Sequence, residues 1–163
     1  MTRGRRNPLC HDFPIRLRRA RQERGLARAQ LSKAAGLAPD TVRALEATKR
    51  VPRVDTVHRL AETLGMSPAW LAYGLGEKET VSPKAAGSFQ QRLRRARQDA
   101  GLTQARLGTL AGTKGTTVSA MELNGNVPDI VRAEQLARAL GVSPGWLAFG
   151  DTLGTCDPEA DQT

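Results

Sequence analysis

Residues 13–36 read FPIRLRRARQERGLARAQLSKAAG, and residues 89–112 read FQQRLRRARQDAGLTQARLGTLAG. The two stretches are one pattern written twice, 76 residues apart. The offset holds without a gap from Phe13/Phe89 to Gly74/Gly150, and 30 of the 62 aligned positions are identical. Among them are Gly25/Gly101, Leu31/Leu107, Ala35/Ala111, Gly36/Gly112, Glu46/Glu122, Pro52/Pro128 and Trp70/Trp146. Self-similarity over that length marks a duplicated domain rather than a shared composition.

The duplication divides the 163 residues into two units of about 62, near the lower limit for a core with no disulfide or metal. Cys10 and Cys156 both lie outside the repeats, so neither core is stapled, and a reducing compartment is expected. A tetrahedral zinc site needs about four clustered ligands, and His11 and His58 stand far apart. No apolar run approaches the ~20 residues of a membrane span, and no apolar signal segment follows Met1.

The net charge of +9 is unevenly placed. Residues 1–76 carry +9, residues 77–88 are neutral, residues 89–150 carry +4, and residues 151–163 carry −4. A basic body with clustered arginines points to a polyanionic partner, most often nucleic acid. With three Phe, two Trp and one Tyr, a stacking surface for single strands is poorly supplied, which favours the duplex.

Apolar spacing and breakers predict five short helices per copy and no strand. In the first they run near 13–24, 28–35, 39–47, 54–64 and 67–73, with Ala29, Leu31, Ala34 and Ala35 inward on the second and Pro39 in the first turn of the third. The second copy repeats this near 89–100, 104–111, 115–123, 130–140 and 144–149, with a turn at Asn124-Gly125. Ser67-Pro68 and Ser143-Pro144 each read as a capping serine followed by an N1 proline. The expected organisation is a flexible basic arm (1–12), a first domain (13–75), a linker (76–88), a second domain (89–150) and an acidic, disordered tail (151–163).

The order of these signals resembles the phage repressor/Cro-like helix-turn-helix family, also called lambda-repressor-like or XRE-type. The resemblance rests on a helix, Gly-Leu with Leu five residues on, Ala-Gly, a third helix ending in Glu, a Pro-led fourth helix, and Ser-Pro-x-Trp-Leu-x-x-Gly. It recurs in both copies. It implies an all-α chain of two tandem five-helix domains, in each of which the third helix enters the DNA major groove.

On that reading, base contacts fall to outward positions of the third helices. These are Pro39, Asp40, Thr41, Arg43 and Ala44 in the first copy, and Lys114, Gly115, Thr116, Thr117, Ser119 and Ala120 in the second. The family's bracing glutamine matches Gln104, and the first copy carries Arg28 there instead. Arginine binds phosphate but lacks the amide's paired donor and acceptor. Phosphates are expected at the N-termini of the second helices and at the loops after the third. Those loops supply Lys49, Arg50 and Arg53 in the first copy and Asn124 and Asn126 in the second. Arg3, Arg5 and Arg6 of the arm are suited to lie along a groove. The resemblance assigns Arg21–Glu46 and Arg97–Glu122 as internal ion pairs. Trp70 and Trp146 read as core plugs, and Arg16, Arg18, Arg19, Arg92, Arg94 and Arg95 as a solvated face.

The function expected is that of a bacterial or phage-type transcriptional regulator in the cytoplasm, most simply a repressor, that binds double-stranded DNA with two unlike heads. A linker of ~14 residues reaches ~46 Å and averages nearer ~20 Å, enough for adjacent half-sites. A homodimer of chains and a contact to RNA polymerase stay open. The competing class is a protein-interaction regulator, an antitoxin or antiactivator, in which one copy no longer reads DNA. No nucleophile–base arrangement or phosphate-cradling loop supports an enzyme, and no cofactor or small-molecule ligand is indicated.

Overall fold

The computed structural model describes residues 9–78 and 87–151. Arg3, Arg5 and Arg6, residues 79–86 of the linker and the tail from 152 lie outside the described residues. Within them the chain is helical: a single 3-10 turn (Leu9–Asp12), then α1 (Phe13–Glu23), α2 (Arg28–Ala34), α3 (Thr41–Glu46), α4 (Val54–Leu64) and α5 (Pro68–Tyr73). The second unit follows as α6 (Phe89–Asp99), α7 (Gln104–Leu110), α8 (Gly115–Leu123), α9 (Ile130–Leu140) and α10 (Pro144–Phe149).

Each unit closes over a small apolar core. Phe13, Leu17, Leu31, Val42, Leu45, Leu60, Leu64 and Leu71 fill the first, and Leu93, Leu107, Val118, Met121, Leu136 and Leu147 the second. Each such side chain contributes on the order of 1.5–3 kcal/mol on burial. Trp70 and Trp146 are half-buried against the respective cores. Ser67 and Ser143 cap α5 and α10, accepting from the Trp70 and Trp146 N–H groups.

Four details depart from the sequence expectation. Leu9–Asp12 is not part of a loose arm but a turn with Cys10 buried in the core. The third helix of the first unit begins at Thr41, so Pro39 stands before the helix and not in its first turn. On α2, Leu31, Ser32 and Ala35 face inward while Ala29 and Ala34 are exposed. Arg16 and Arg92 are not a solvated face: both reach the last carbonyls of the fifth helix of their unit. Arg16 donates to Leu71 O at 3.0 Å and Ala72 O at 2.6 Å, and Arg92 to Leu147 O and Ala148 O at 3.0 Å each. A six-residue helix leaves most of its carbonyls without a helical partner, and these guanidinium groups satisfy them.

The two units are docked on one another, which periodicity alone did not reveal. Val54 N–H donates to Pro128 O and Ile130 N–H to Pro52 O, both at 3.0 Å. Under the 76-residue offset these two bonds are each other's image. Arg53 and Asp129, equivalent residues, form an isolated antiparallel bridge between them. Tyr73 and Phe149, also equivalent, face each other with ring centroids 6.2 Å apart. Ile130, Ala133, Ala148 and Phe149 of the second unit join the first unit's core, and α5 packs against α10. The contact is therefore isologous, the pairing of a two-fold dimer realised inside one chain.

The pseudo-symmetry is broken where it matters for pairing. Tyr73 Oη donates to Ile130 O at 3.0 Å, and Phe149 has no hydroxyl to return the bond. Gly145 lies opposite its own equivalent, Ala69, and a Cβ at 145 would stand 3.0 Å from the Ala69 Cβ. Alanine against glycine fits; alanine against alanine would not without a shift. Among the described residues, the Leu9–Asp12 turn adds a strap on one side only. Leu9 N–H donates to Glu134 Oε1 at 2.9 Å and Cys10 N–H to Glu134 Oε2 at 3.4 Å, tying the start of the chain to α9.

Candidate nucleic-acid interface

The reading helices α3 and α8 are positioned by the same polar anchor. In the first unit Arg21 Nε donates to Glu46 Oε1 at 2.6 Å, its Nη2 to Glu46 Oε2 at 3.2 Å, and its Nη1 to Leu26 O at 2.7 Å. In the second, Arg97 makes the equivalent set to Glu122 and Leu102 O at 2.6, 2.9 and 2.8 Å. Each bond ties α1 or α6, the turn after it, and the end of the reading helix into one unit. Burial acts to raise both carboxyls, but the hydrogen bonds from Arg21 and Arg28, or from Arg97 and Gln104, outweigh it. Both acids are held below their ordinary value.

Arg28 and Gln104 occupy one structural slot. Arg28 Nε donates to Glu46 Oε2 at 2.7 Å, and Gln104 Nε2 to Glu122 Oε2 at 2.8 Å. Glu46 also has Arg18 Nε at 3.7 Å, so the first unit gathers three arginines on one buried acid. That cluster was not foreseen, because Arg18 read only as surface. Arg19 and Arg95 pair with Glu23 and Asp99 on the exposed faces of α1 and α6.

Around this anchor the outward residues gather. Asp40, Arg43, Ala44, Ala47 and Lys49 line one shallow concavity, so the reading helix and the following loop of the first unit share a face. Pro39, Asp40, Arg43, Lys49 and Arg50 are exposed, and Thr41 is half-buried. Arg53 is exposed at the junction of the units and lies 3.5 Å from Asp55. In the second unit Lys114, Thr116, Asn124 and Asn126 are exposed, while Thr117 and Ser119 are half-buried beside the buried Val118. The face of the second reading helix is thus made of hydroxyl, methyl and amide groups with one cation, Lys114. The first presents Asp40, Arg43 and Lys49, and Arg50 lines a separate hollow with Pro52 and Ile130.

The loops behind the reading helices turn by different means. The second uses Gly125 in the left-handed region (φ 72°). The first turns one position earlier, at Thr48 (φ 59°), the one non-glycine residue with positive φ among those described.

Among the described residues no cluster of three His, Cys, Asp or Glu side chains can hold a metal ion, and no helix is long and apolar enough to cross a membrane.

Comparison with protein families finds one match within each unit. A profile described as "Helix-turn-helix domain" matches residues 13–73, and one described as "Helix-turn-helix" matches residues 93–147. No curated protein and no solved structure matches the chain. With two profile matches that fall on the two five-helix units, and the anchor, turn and reading helix present in each, the chain belongs to the DNA-binding helix-turn-helix proteins of the XRE, lambda-repressor-like type, as two such domains in tandem.

Proposed function

We propose that the chain is a transcriptional repressor that acts as its own dimer. One chain places one head on each of two unlike half-sites and occludes a promoter by occupying it. The observation that carries this reading is the reciprocal pair of hydrogen bonds between Pro52/Val54 and Pro128/Ile130, with α5 packed on α10. Helix-turn-helix dimers pair their heads about a two-fold so that each reads one half-site, about 34 Å apart. Here the pairing surface of each head is consumed by the other head of the same chain. The half-sites are unlike because the reading faces are unlike. Arg43 is suited to fork onto guanine and Asp40 to accept from a cytosine amine, whereas Thr116 and Thr117 offer methyls to thymine.

The phosphate contacts on this reading come from Lys49 and Arg50 in the first head, from Asn124, Asn126 and backbone N–H groups in the second, and from Arg28 and Gln104 at the starts of α2 and α7. A reducing bacterial cytoplasm, where the free thiol of Cys10 persists, suits such a regulator.

The test is selection from a random duplex pool at near-physiological salt, followed by native mass spectrometry of the complex. Two unlike motifs about one helical turn apart, bound by a single chain, are expected. Arg43→Ala is expected to change base preference in one motif only. A symmetric palindrome bound by two chains, or equal loss in both motifs with Arg43→Ala, would refute the reading.

A further inference from the structure

The two copies run in step through the turn glycines, Gly36 (φ 65°) and Gly112 (φ 67°), and then separate. In the second head the reading helix begins at Gly115; in the first it begins at Thr41, the equivalent of 117, two positions later. The identical pair Thr41/Thr117 therefore opens one helix and is the third residue of the other.

The difference has a visible source on the preceding helix. In the second head that position is Gly108, and a Cβ on it would lie 2.7 Å from Gly115 N and from Lys114 C. A Cβ on Gly115 would in turn lie 2.7 Å from Ala105 Cα. The first turn of α8 thus rests backbone on backbone against α7, a contact that only glycine at both positions permits. In the first head the equivalents are Ser32 and Pro39, each bearing a Cβ, so the same approach is closed. Ser32 is fully buried, and its hydroxyl accepts the Val42 N–H at 3.2 Å. Asp40, the residue at the N-cap, makes no side-chain cap bond, so Ser32 satisfies an amide at the helix start from a neighbouring helix.

We propose that positions 32 and 39, with their counterparts 108 and 115, are specificity-positioning residues: they set where each reading helix begins, and so which side chains each head offers to bases. This rests on the reading of both heads as DNA readers. Since base edges are met by the N-terminal residues of that helix, a start two residues later changes the presented set even where side chains are identical. Thr41 and Thr117 consequently take different places on their half-sites.

The experiment compares the full chain with the double variant Ser32→Gly/Pro39→Gly, which gives the first head the second head's pair of glycines. Duplex-pool selection is expected to return a changed base preference in the first head's half-site and an unchanged second half-site. A uniform loss of affinity with both motifs retained would make these positions merely structural and overturn the proposal alone. A wild-type chain that enriches no sequence would overturn the DNA reading and this proposal with it. Because the double variant can lose stability, Ser32→Ala supplies a readout without DNA. Its Val42 amide is expected to exchange roughly tenfold faster than in the wild type, and unchanged exchange would remove the role assigned to the hydroxyl.

Discussion

Arg28 and Gln104 share no functional group, yet both reach the acid that ends the reading helix of their own head, at 2.7 Å from Glu46 and 2.8 Å from Glu122. The substitution therefore keeps the anchor and changes its charge. In the second head one guanidinium and one amide hydrogen-bond the carboxylate, with the charge of Arg94 farther off; in the first, Arg18, Arg21 and Arg28 converge on it. Glu46→Gln leaves Arg21 buried beside a neutral amide and two more arginines crowded near it. We expect it to destabilise the first head by about 3–5 kcal/mol, and by more than Glu122→Gln destabilises the second. Urea unfolding of the two variants checks the order; equal losses would show that Arg18 and Arg28 add nothing.

The same acids set an acid limit. Both are depressed in the fold below the ordinary value of 4.5. A carboxyl depressed on folding stabilises at every pH above its unfolded value, and that contribution is lost as pH falls through the folded value. The melting temperature is thus expected to fall on acidification below about 4.5, more steeply in the wild type than in the Glu46→Gln/Glu122→Gln double variant. Parallel profiles for the two proteins would place the acid sensitivity elsewhere.

How much of this was readable in the residues follows from which signals are local. The helices, their glycine ends and the Ser-Pro caps are consequences of nearby residues, and the repeat showed them twice. The Arg21–Glu46 pairing entered only through the family resemblance, since nothing at a separation of 25 residues marks two charges as partners. Arg16 and Arg92 were misjudged because they sit among Arg18, Arg19, Arg94 and Arg95, and only the fold brings the carbonyls of α5 and α10 to them. The docking of the heads was illegible for the same reason. Val54, Ile130, Tyr73 and Phe149 are unremarkable core residues until the two units are placed together. Nothing beside Ser32 in the sequence marks it as buried, yet it is fully enclosed against α3.

Cys10 offers a probe of the strap that joins the heads. Burial first, and then the charge of Glu134, push its thiol up to about 12. That is roughly a thousandfold less thiolate at neutral pH than an ordinary cysteine holds. Cys10 is expected to resist iodoacetamide at pH 8 in the wild type, with mass spectrometry separating it from Cys156. Glu134→Ala removes both the charge and the acceptor of the Leu9 and Cys10 amides, and modification of Cys10 should then accelerate by at least about tenfold. Unaltered protection would mean that the apolar contacts alone hold the turn.

Thr48 holds a left-handed backbone (φ 59°) that a β-branched residue rarely adopts, while the second head solves the same turn with Gly125. Its hydroxyl returns one hydrogen bond, to Ala47 O at 2.7 Å. The strain of such a residue is on the order of 1 kcal/mol or more, against the entropy that glycine adds to the unfolded chain. We expect Thr48→Gly to raise stability by about 0.5–1 kcal/mol in urea unfolding. Destabilisation would show that the hydroxyl outweighs the strain.

The unequal loops make a quantitative claim about salt. Every phosphate neutralised by a cation releases condensed counterions, and the slope of log K against log salt grows by about 0.9 per contact. Lys49 and Arg50 are exposed cations of the loop after the first reading helix, while Asn124 and Asn126 hold the equivalent loop in the second head. Asparagine donates a hydrogen bond to phosphate without releasing an ion. Lys49→Ala and Arg50→Ala are each expected to lower the slope by about 1 and to weaken all duplexes nearly alike. Asn124→Ala and Asn126→Ala are expected to weaken binding with the slope unchanged. Fluorescence anisotropy over a salt series on the selected operator reads both quantities. A slope left unchanged by the lysine and arginine variants would mean that the first head does not hold the backbone by charge, and that the excess of positive charge at residues 1–76 serves another purpose.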